Sequence, residues 1–221
     1  MVSAQTRADW QGTLDRAADA WRRREHEDVL ALTEPLLDGP AATGANFLRS
    51  WALGRARRPE EASRAWNAWS DDPAVASYSA LRDHFDVEPD ERLNSDSMRG
   101  VRLLHVDDDQ CVRRAMHHLV RFAGGRCTGV ASTQQGLECL IRAPFDLVVS
   151  DYNRPGSHGV TFLAACRVLH PEIPLMLYSG AMPLTAVRRA ICMHGVERAY
   201  WKPADVQRLV AVMSGLARAQ V

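Results

Sequence analysis

Apolar residues recur every three or four positions through residues 10–24, 28–37, 46–55 and 59–69, so the first half of the chain is predicted to be helical. Gly39-Pro40 and Asp71-Asp72-Pro73 break the pattern, and a further helix is expected over 75–85. Beyond residue 100 the pattern changes. Short apolar runs at 101–106, 127–131, 146–150, 174–178 and 198–201 are each followed by a helical stretch. Strands apolar on both faces and alternating with helices predict a five-stranded parallel, doubly wound α/β domain, preceded by an all-α domain. Between them, residues 86–100 (DVEPDERLNSDSMRG) are polar and acidic. The expected organisation is therefore a helical domain over 1–86, a linker over 87–100 and the α/β domain over 101–221.

Shifting the helical half by 33 residues lays Glu27, Asp28 and Val29 on Glu60, Glu61 and Ala62, and Asp38, Pro40 and Ala41 on Asp71, Pro73 and Ala74. That offset, with two helices per unit, resembles the tetratricopeptide repeat family. Ala62 and Trp66 suit the small and aromatic positions of its second helix, whereas Trp69 stands where that repeat has a small residue. Two units do not close a solenoid core by themselves, so an unspecific helical bundle stays open beside the repeat. Trp10, Trp21, Trp51, Trp66 and Trp69 lie in this half and are expected mainly in its core.

Composition narrows the classes. Apolar residues make up 46% of the chain and charged residues 24%, ordinary usage for a folded protein. No apolar run approaches the length of a membrane span, and residues 1–10 lack a basic start before an apolar core, so a cytoplasmic location is expected. Five cysteines without CxxC spacing are expected as buried thiols. The net charge of zero divides unevenly: residues 1–98 carry −6 and residues 99–221 carry +6. An acidic helical half is poorly suited to gripping nucleic acid, whose phosphates need Lys and Arg clusters.

In an open parallel sheet, ligands bind at the C-terminal ends of the strands. There the runs end in Asp107, Asp108 and Asp109, in Asp151, in Ser179 and in Lys202-Pro203. Converging carboxylates repel unless a cation neutralises them, and an all-oxygen set selects a hard ion such as Mg2+. Lys202 is the single lysine beside 26 arginines, and a compact ammonium reaches a phosphoryl oxygen where a planar guanidinium fits poorly. Carboxylate nucleophile, metal site, hydroxyl and ammonium together are what phosphoryl transfer requires. No P-loop, nucleophile elbow or metal-spaced His/Cys set appears, and His117-His118 are expected one partly buried and one exposed.

These residues resemble the receiver domains of bacterial two-component response regulators. The resemblance rests on LLHVDDD (103–109), DLVVSDYNRPG (146–156), LMLYSG (175–180) and GVERAYWKP (195–203). It implies a flavodoxin-like fold from residue 101 onward. Asp151 would be the phosphoacceptor, charged by a partner histidine kinase or phosphotransfer protein, and Asp107, Asp108, Asp151 and the Asn153 carbonyl would hold Mg2+. Ser179 and Lys202 would contact the phosphoryl group, and the only chemistry implied is the domain's own phosphoryl transfer and dephosphorylation. The sequence departs from the family at Ala199, where an aromatic is usual, so Trp201 on the same strand face is the expected substitute. It departs again at Arg154, where Met is usual. The helical domain is expected to pass the signal to a protein partner. A DNA-binding output is the alternative, and a homodimer stays open.

Overall fold

Two arginines in left-handed backbone conformations, Arg24 (φ 63°) and Arg57 (φ 57°), shape the helical half. After each, the next amide reaches back across the turn: Glu25 N donates to the Ala20 carbonyl and Arg58 N to the Leu53 carbonyl, both at 2.9 Å. This bond pattern ends a helix and turns the chain sharply. It separates α1 (Arg7–Arg22) from α2 (His26–Thr33), and α3 (Ala42–Arg55) from α4 (Pro59–Ser70). The turns lie 33 residues apart (57 against 24), the offset at which the sequence matches itself.

The computed structural model describes residues 7–72, 78, 81–82, 96–153 and 159–218. Most of the helix expected over 75–85, most of the linker, and Arg154 lie outside them. The chain forms two compact units, with Met1–Asp86 and Ile191–Gly195 in the first and Val87–Ala190 and Val196–Val221 in the second. Where a single helix is expected over 28–37, α2 stops at Thr33 and a 3-10 turn follows over Glu34–Leu36. Pro35 explains the change, since its ring removes an amide donor from the helical ladder. Helix α3 starts at Ala42, four residues earlier than expected. A side chain at Gly39 would displace the Trp10 ring, which lies 0.9 Å from where a Cβ would stand.

Edge-to-face aromatics fill the first unit's core. Trp21 lies 5.8 Å from Phe47 and from Trp51, Phe47 lies 5.6 Å from Trp69, and Trp66 lies 4.7 Å from Trp69 between ring centroids. All five rings are buried, so four of the five tryptophans are core as expected and Trp10 is half-buried. Such pairs add to the apolar burial that stabilises the unit.

The second unit is a parallel sheet ordered β2-β1-β3-β4-β5, with helices between its strands. Its elements are β1 (Arg102–Val106), α5 (Gln110–Phe122), β2 (Arg126–Val130), α6 (Thr133–Arg142), β3 (Leu147–Ser150), α7 (Gly159–Leu169), β4 (Leu175–Ser179), α8 (Leu184–His194), β5 (Arg198–Trp201) and α9 (Val206–Arg218). Strands β3 and β4 are buried along their whole length, which their continuous apolar runs dictate. Strand β2 departs from that expectation: it sits at the sheet edge, and Arg126, Thr128 and Gly129 are exposed. Leu103, Val149, Met176, Tyr178 and Tyr200 form one core face with Met116 and Val120 of α5 and Leu209, Val210 and Met213 of α9.

The cysteines divide. Cys166 and Cys192 are buried and Cys127 and Cys139 half-buried, but Cys111 is exposed, correcting the expectation of a buried thiol there. It occupies the solvent side of the first turn of α5, a position its spacing from Met116 and Val120 dictates. Burial pushes the Cys127 thiol up to about 12.

Arg102 and Asp146 tie the starts of β1 and β3. Asp146 Oδ2 accepts from the Arg102 amide at 2.8 Å and from its Nε at 2.9 Å, and Oδ1 accepts from the guanidinium at 2.7 Å. The Arg102 side chain, then its backbone amide, holds the Asp146 carboxyl below the usual carboxylate range against burial. A depressed carboxyl contributes stability above its unfolded pKa and loses it as the pH falls through the folded one. Asp146→Ala is therefore expected to lower unfolding free energy by about 1 kcal/mol at pH 7, a screened charge-assisted contact. Urea unfolding curves of variant and parent should converge in acid.

Candidate functional site

The crevice forms where the strand order reverses, between the C-terminal ends of β1 and β3. Parallel pairing of Val106 with Ser150 places the residues after each strand side by side. Asp107 N donates to the Val130 carbonyl at 3.0 Å and Asp151 N to the Val106 carbonyl at 2.9 Å, so both aspartates are fixed by the backbone ladder. On the far side of β3, pairing of Ser179 with Trp201 and the 2.9 Å bond from Lys202 N to the Ser179 carbonyl set the backbones of Ser179 and Lys202 next to each other at the strand ends.

The side chains converge. Lys202 Nζ donates to Asp151 Oδ2 at 2.9 Å and to Asp107 Oδ2. Carboxylate oxygens of Asp107, Asp108 and Asp151 lie within 4.8 Å of one another. The Asp107 side chain is fully buried, that of Asp151 is 10% exposed and that of Lys202 14%. Asp108 is exposed at the mouth. Asn153 N donates to Asp151 Oδ1 at 3.1 Å and its side-chain amide to the Ala181 carbonyl at 3.2 Å, which ties the chain after β3 to the chain after β4. The Ser179 hydroxyl donates to the same Ala181 carbonyl at 3.4 Å, a long bond that a better acceptor would replace.

Asp109, third of the acidic run, is turned to another task. Its Oδ1 accepts from the amides of Cys111 at 2.7 Å and Val112 at 3.4 Å, capping α5. Its own amide donates to Asp107 Oδ1 at 2.9 Å. Three groups at the site were not apparent from sequence. Arg113 on α5 donates to the backbone carbonyls of Asp107 at 2.7 Å and Asp108 at 2.8 Å, holding the turn that presents both acids. His105 Nε2 lies 3.6 Å from Asp107 Oδ2 with both side chains fully buried. Tyr178, before Ser179, lies with its ring under the Lys202 ammonium, 5.6 Å from centroid to Nζ. Beyond the pocket, Ala199 is fully buried and Trp201 half-buried, and the peptide between Lys202 and Pro203 is cis.

Burial raises the Asp107 carboxyl above the usual carboxylate range, with Asp151 adding to the rise, against the opposing pull of Lys202 and the Asp109 amide. The anion is thus formed at an energetic disadvantage that one ammonium only partly offsets. Three clustered acids beside one ammonium, two of them withdrawn from solvent, are the donor set a hard divalent ion fits. Burial, then Asp205 and Asp107, raises the Tyr178 hydroxyl, which stays neutral. His117 is half-buried and His118 exposed, as expected, and neither joins the crevice. No helix among the described residues is long and apolar enough to cross a membrane.

The family model for the response regulator receiver domain matches residues 103–214. Response regulator protein FleR of Pseudomonas aeruginosa is 30% identical over 124 residues, 55% of this chain and 26% of that protein. The DNA-binding transcriptional regulator NtrC of Klebsiella pneumoniae is 29% identical over 115 residues, covering 52% and 24%. This chain thus spans about a quarter of the length of these relatives. Among solved structures, the signal receiver domain of an HD domain-containing protein from Pseudomonas fluorescens Pf-5 superposes with a TM-score of 0.50 at 24% identity, over 56% of this chain and 90% of that one.

Proposed function

The chain belongs to the response regulator receiver domain family, and from that premise we propose that it is a response regulator charged on Asp151 by a partner histidine kinase or phosphotransfer protein. One observation carries the reading: the acids of two strand ends and the chain's single lysine meet in one crevice, with Lys202 bonded to both Asp107 and Asp151. An Asp151 carboxylate oxygen attacks phosphorus, forming a P–O bond as the P–N bond to the donor histidine breaks and the imidazole leaves with the electron pair. Asn153 N–H holds Asp151 Oδ1 and Lys202 holds Oδ2, so the nucleophile is oriented before the donor arrives. Lys202 neutralises charge on the transferred oxygens, and the Ser179 hydroxyl leaves its long bond to Ala181 to donate to one of them.

Asp107, Asp108, Asp151 and the Asn153 carbonyl are the groups that would hold Mg2+. When bound, the ion offsets the negative charge of carboxylates and phosphoryl oxygens. The helical half carries a net charge of −6, which repels phosphates and favours a protein partner as output over DNA.

Incubating the full chain with acetyl phosphate and Mg2+ should add one phosphoryl group, located by mass spectrometry to the peptide carrying Asp151 and absent from Asp151→Asn. An unmodified chain, or modification that survives Asp151→Asn, overturns the assignment.

A further inference from the structure

The ammonium of Lys202 is held on more than its two carboxylates. Tyr178 precedes Ser179 at the end of β4 and is 5% exposed, packed into the core face that includes Tyr200 and Met176. Its register partner is Tyr200, two residues before Lys202, so strand pairing brings the Tyr178 ring beneath the root of the lysine. The ammonium then lies over the ring at 5.6 Å, inside the range where the negative face of an aromatic attracts a cation, while Asp107 and Asp151 hold it from other sides. A flexible four-carbon stem has many rotamers, and a ring beneath it narrows the choice beyond what the two carboxylates set. The neighbouring Ala199 carries only a methyl group and supplies no second ring.

We infer that Tyr178 is a positioning residue whose ring face fixes the Lys202 ammonium between Asp107 and Asp151 ahead of phosphoryl transfer. The phenol hydroxyl is dispensable to this role and the aromatic face is not. In its functional consequence the inference rests on the response regulator reading, but the geometry it asserts is measurable without a phosphoryl donor.

Because Lys202 is the only lysine, 13C-lysine labelling of the full chain yields one side-chain signal set, free of assignment ambiguity. The ε-methylene protons should be displaced upfield by the ring current in the parent and in Tyr178→Phe, and return toward the free-lysine position in Tyr178→Leu. Phosphorylation by acetyl phosphate with Mg2+ should be within about twofold of the parent for Tyr178→Phe and slower by about three- to tenfold for Tyr178→Leu. Thermal melts identify any variant that fails to fold, and Tyr178→Met then replaces Tyr178→Leu as the non-aromatic arm. A lysine signal that ignores the ring, or equal slowing by Phe and Leu, overturns the inference. If the signal follows the ring while the parent takes up no phosphoryl group, the phosphoryl reading falls and the socket stands.

Discussion

Lys202→Met is expected to destabilise the metal-free protein by roughly 3 kcal/mol at pH 7.5, as for other buried pairs left with one partner. The variant keeps the apolar stem and removes the ammonium that bonds to Asp107 and Asp151. Asp107 is fully buried, and its carboxyl already lies above the usual range because of burial, with Asp151 adding to it. Without Lys202 the Asp107 carboxyl rises further. A group whose folded pKa is raised supports the fold below its unfolded pKa and loses that support as pH rises through the folded one. The deficit of Lys202→Met should therefore be largest at neutral and alkaline pH and vanish in acid, where Asp107 is protonated in both proteins. Millimolar Mg2+ should restore much of it, since a ligand at about 100 times its Kd contributes about 2.7 kcal/mol. Phosphoryl acceptance should still fall by about 100-fold, because the donor aimed at the transferred oxygens is gone. A deficit that is equal at pH 4 and pH 8 and indifferent to Mg2+ would show that Lys202 is not the counter-ion of these acids.

Asp107, Asp108, Asp151, Ser179 and Lys202 are all legible for one reason: each stands immediately after an apolar run, and a parallel sheet brings such positions together. The division of labour within the acidic run was harder to see. Asp107 turns inward, Asp108 outward and Asp109 caps α5, outcomes of a turn whose dihedrals three identical residues do not encode. The rule that Asp precedes a helix start was available, and it points to Asp109 just before Gln110. Tyr178 and His105 lie inside apolar runs and so read as core; only strand register reveals that both face the crevice. Arg113 reads as a solvated helix residue until its reach back to the carbonyls of Asp107 and Asp108 is seen. In the helical half, periodicity located four helices but not the approach of Trp10 to Gly39, nor the left-handed arginines, whose side chains give no sign of that backbone choice.

Asp107→Asn separates binding from folding more sharply than any other substitution at the site. Asparagine preserves shape, and its carbonyl oxygen still accepts the Asp109 amide that now bonds to Asp107 Oδ1, while its NH2 replaces the Oδ2 acceptor of Lys202 and turns the ammonium toward Asp151. What it removes is a buried anion that Lys202 only partly compensates. Above the folded pKa of Asp107 the parent carries that desolvation penalty and the variant does not, whereas below the unfolded pKa both are neutral. Metal-free Asp107→Asn should therefore be more stable than the parent by roughly 1 kcal/mol at pH 7.5, with the advantage fading in acid. Its Lys202 keeps the 2.9 Å bond to Asp151, so the ammonium is not stranded. Binding of Mg2+ should weaken by at least about 100-fold, since one of three clustered carboxylates is lost. Thermal melts across pH with and without Mg2+ read both effects at once. Addition of the ion should reverse the order of stability, making the parent the more stable protein. If Asp107→Asn is instead less stable without metal and responds to Mg2+ as the parent does, Asp107 serves the fold through its bonds to Lys202 and Asp109, and the divalent site does not include it.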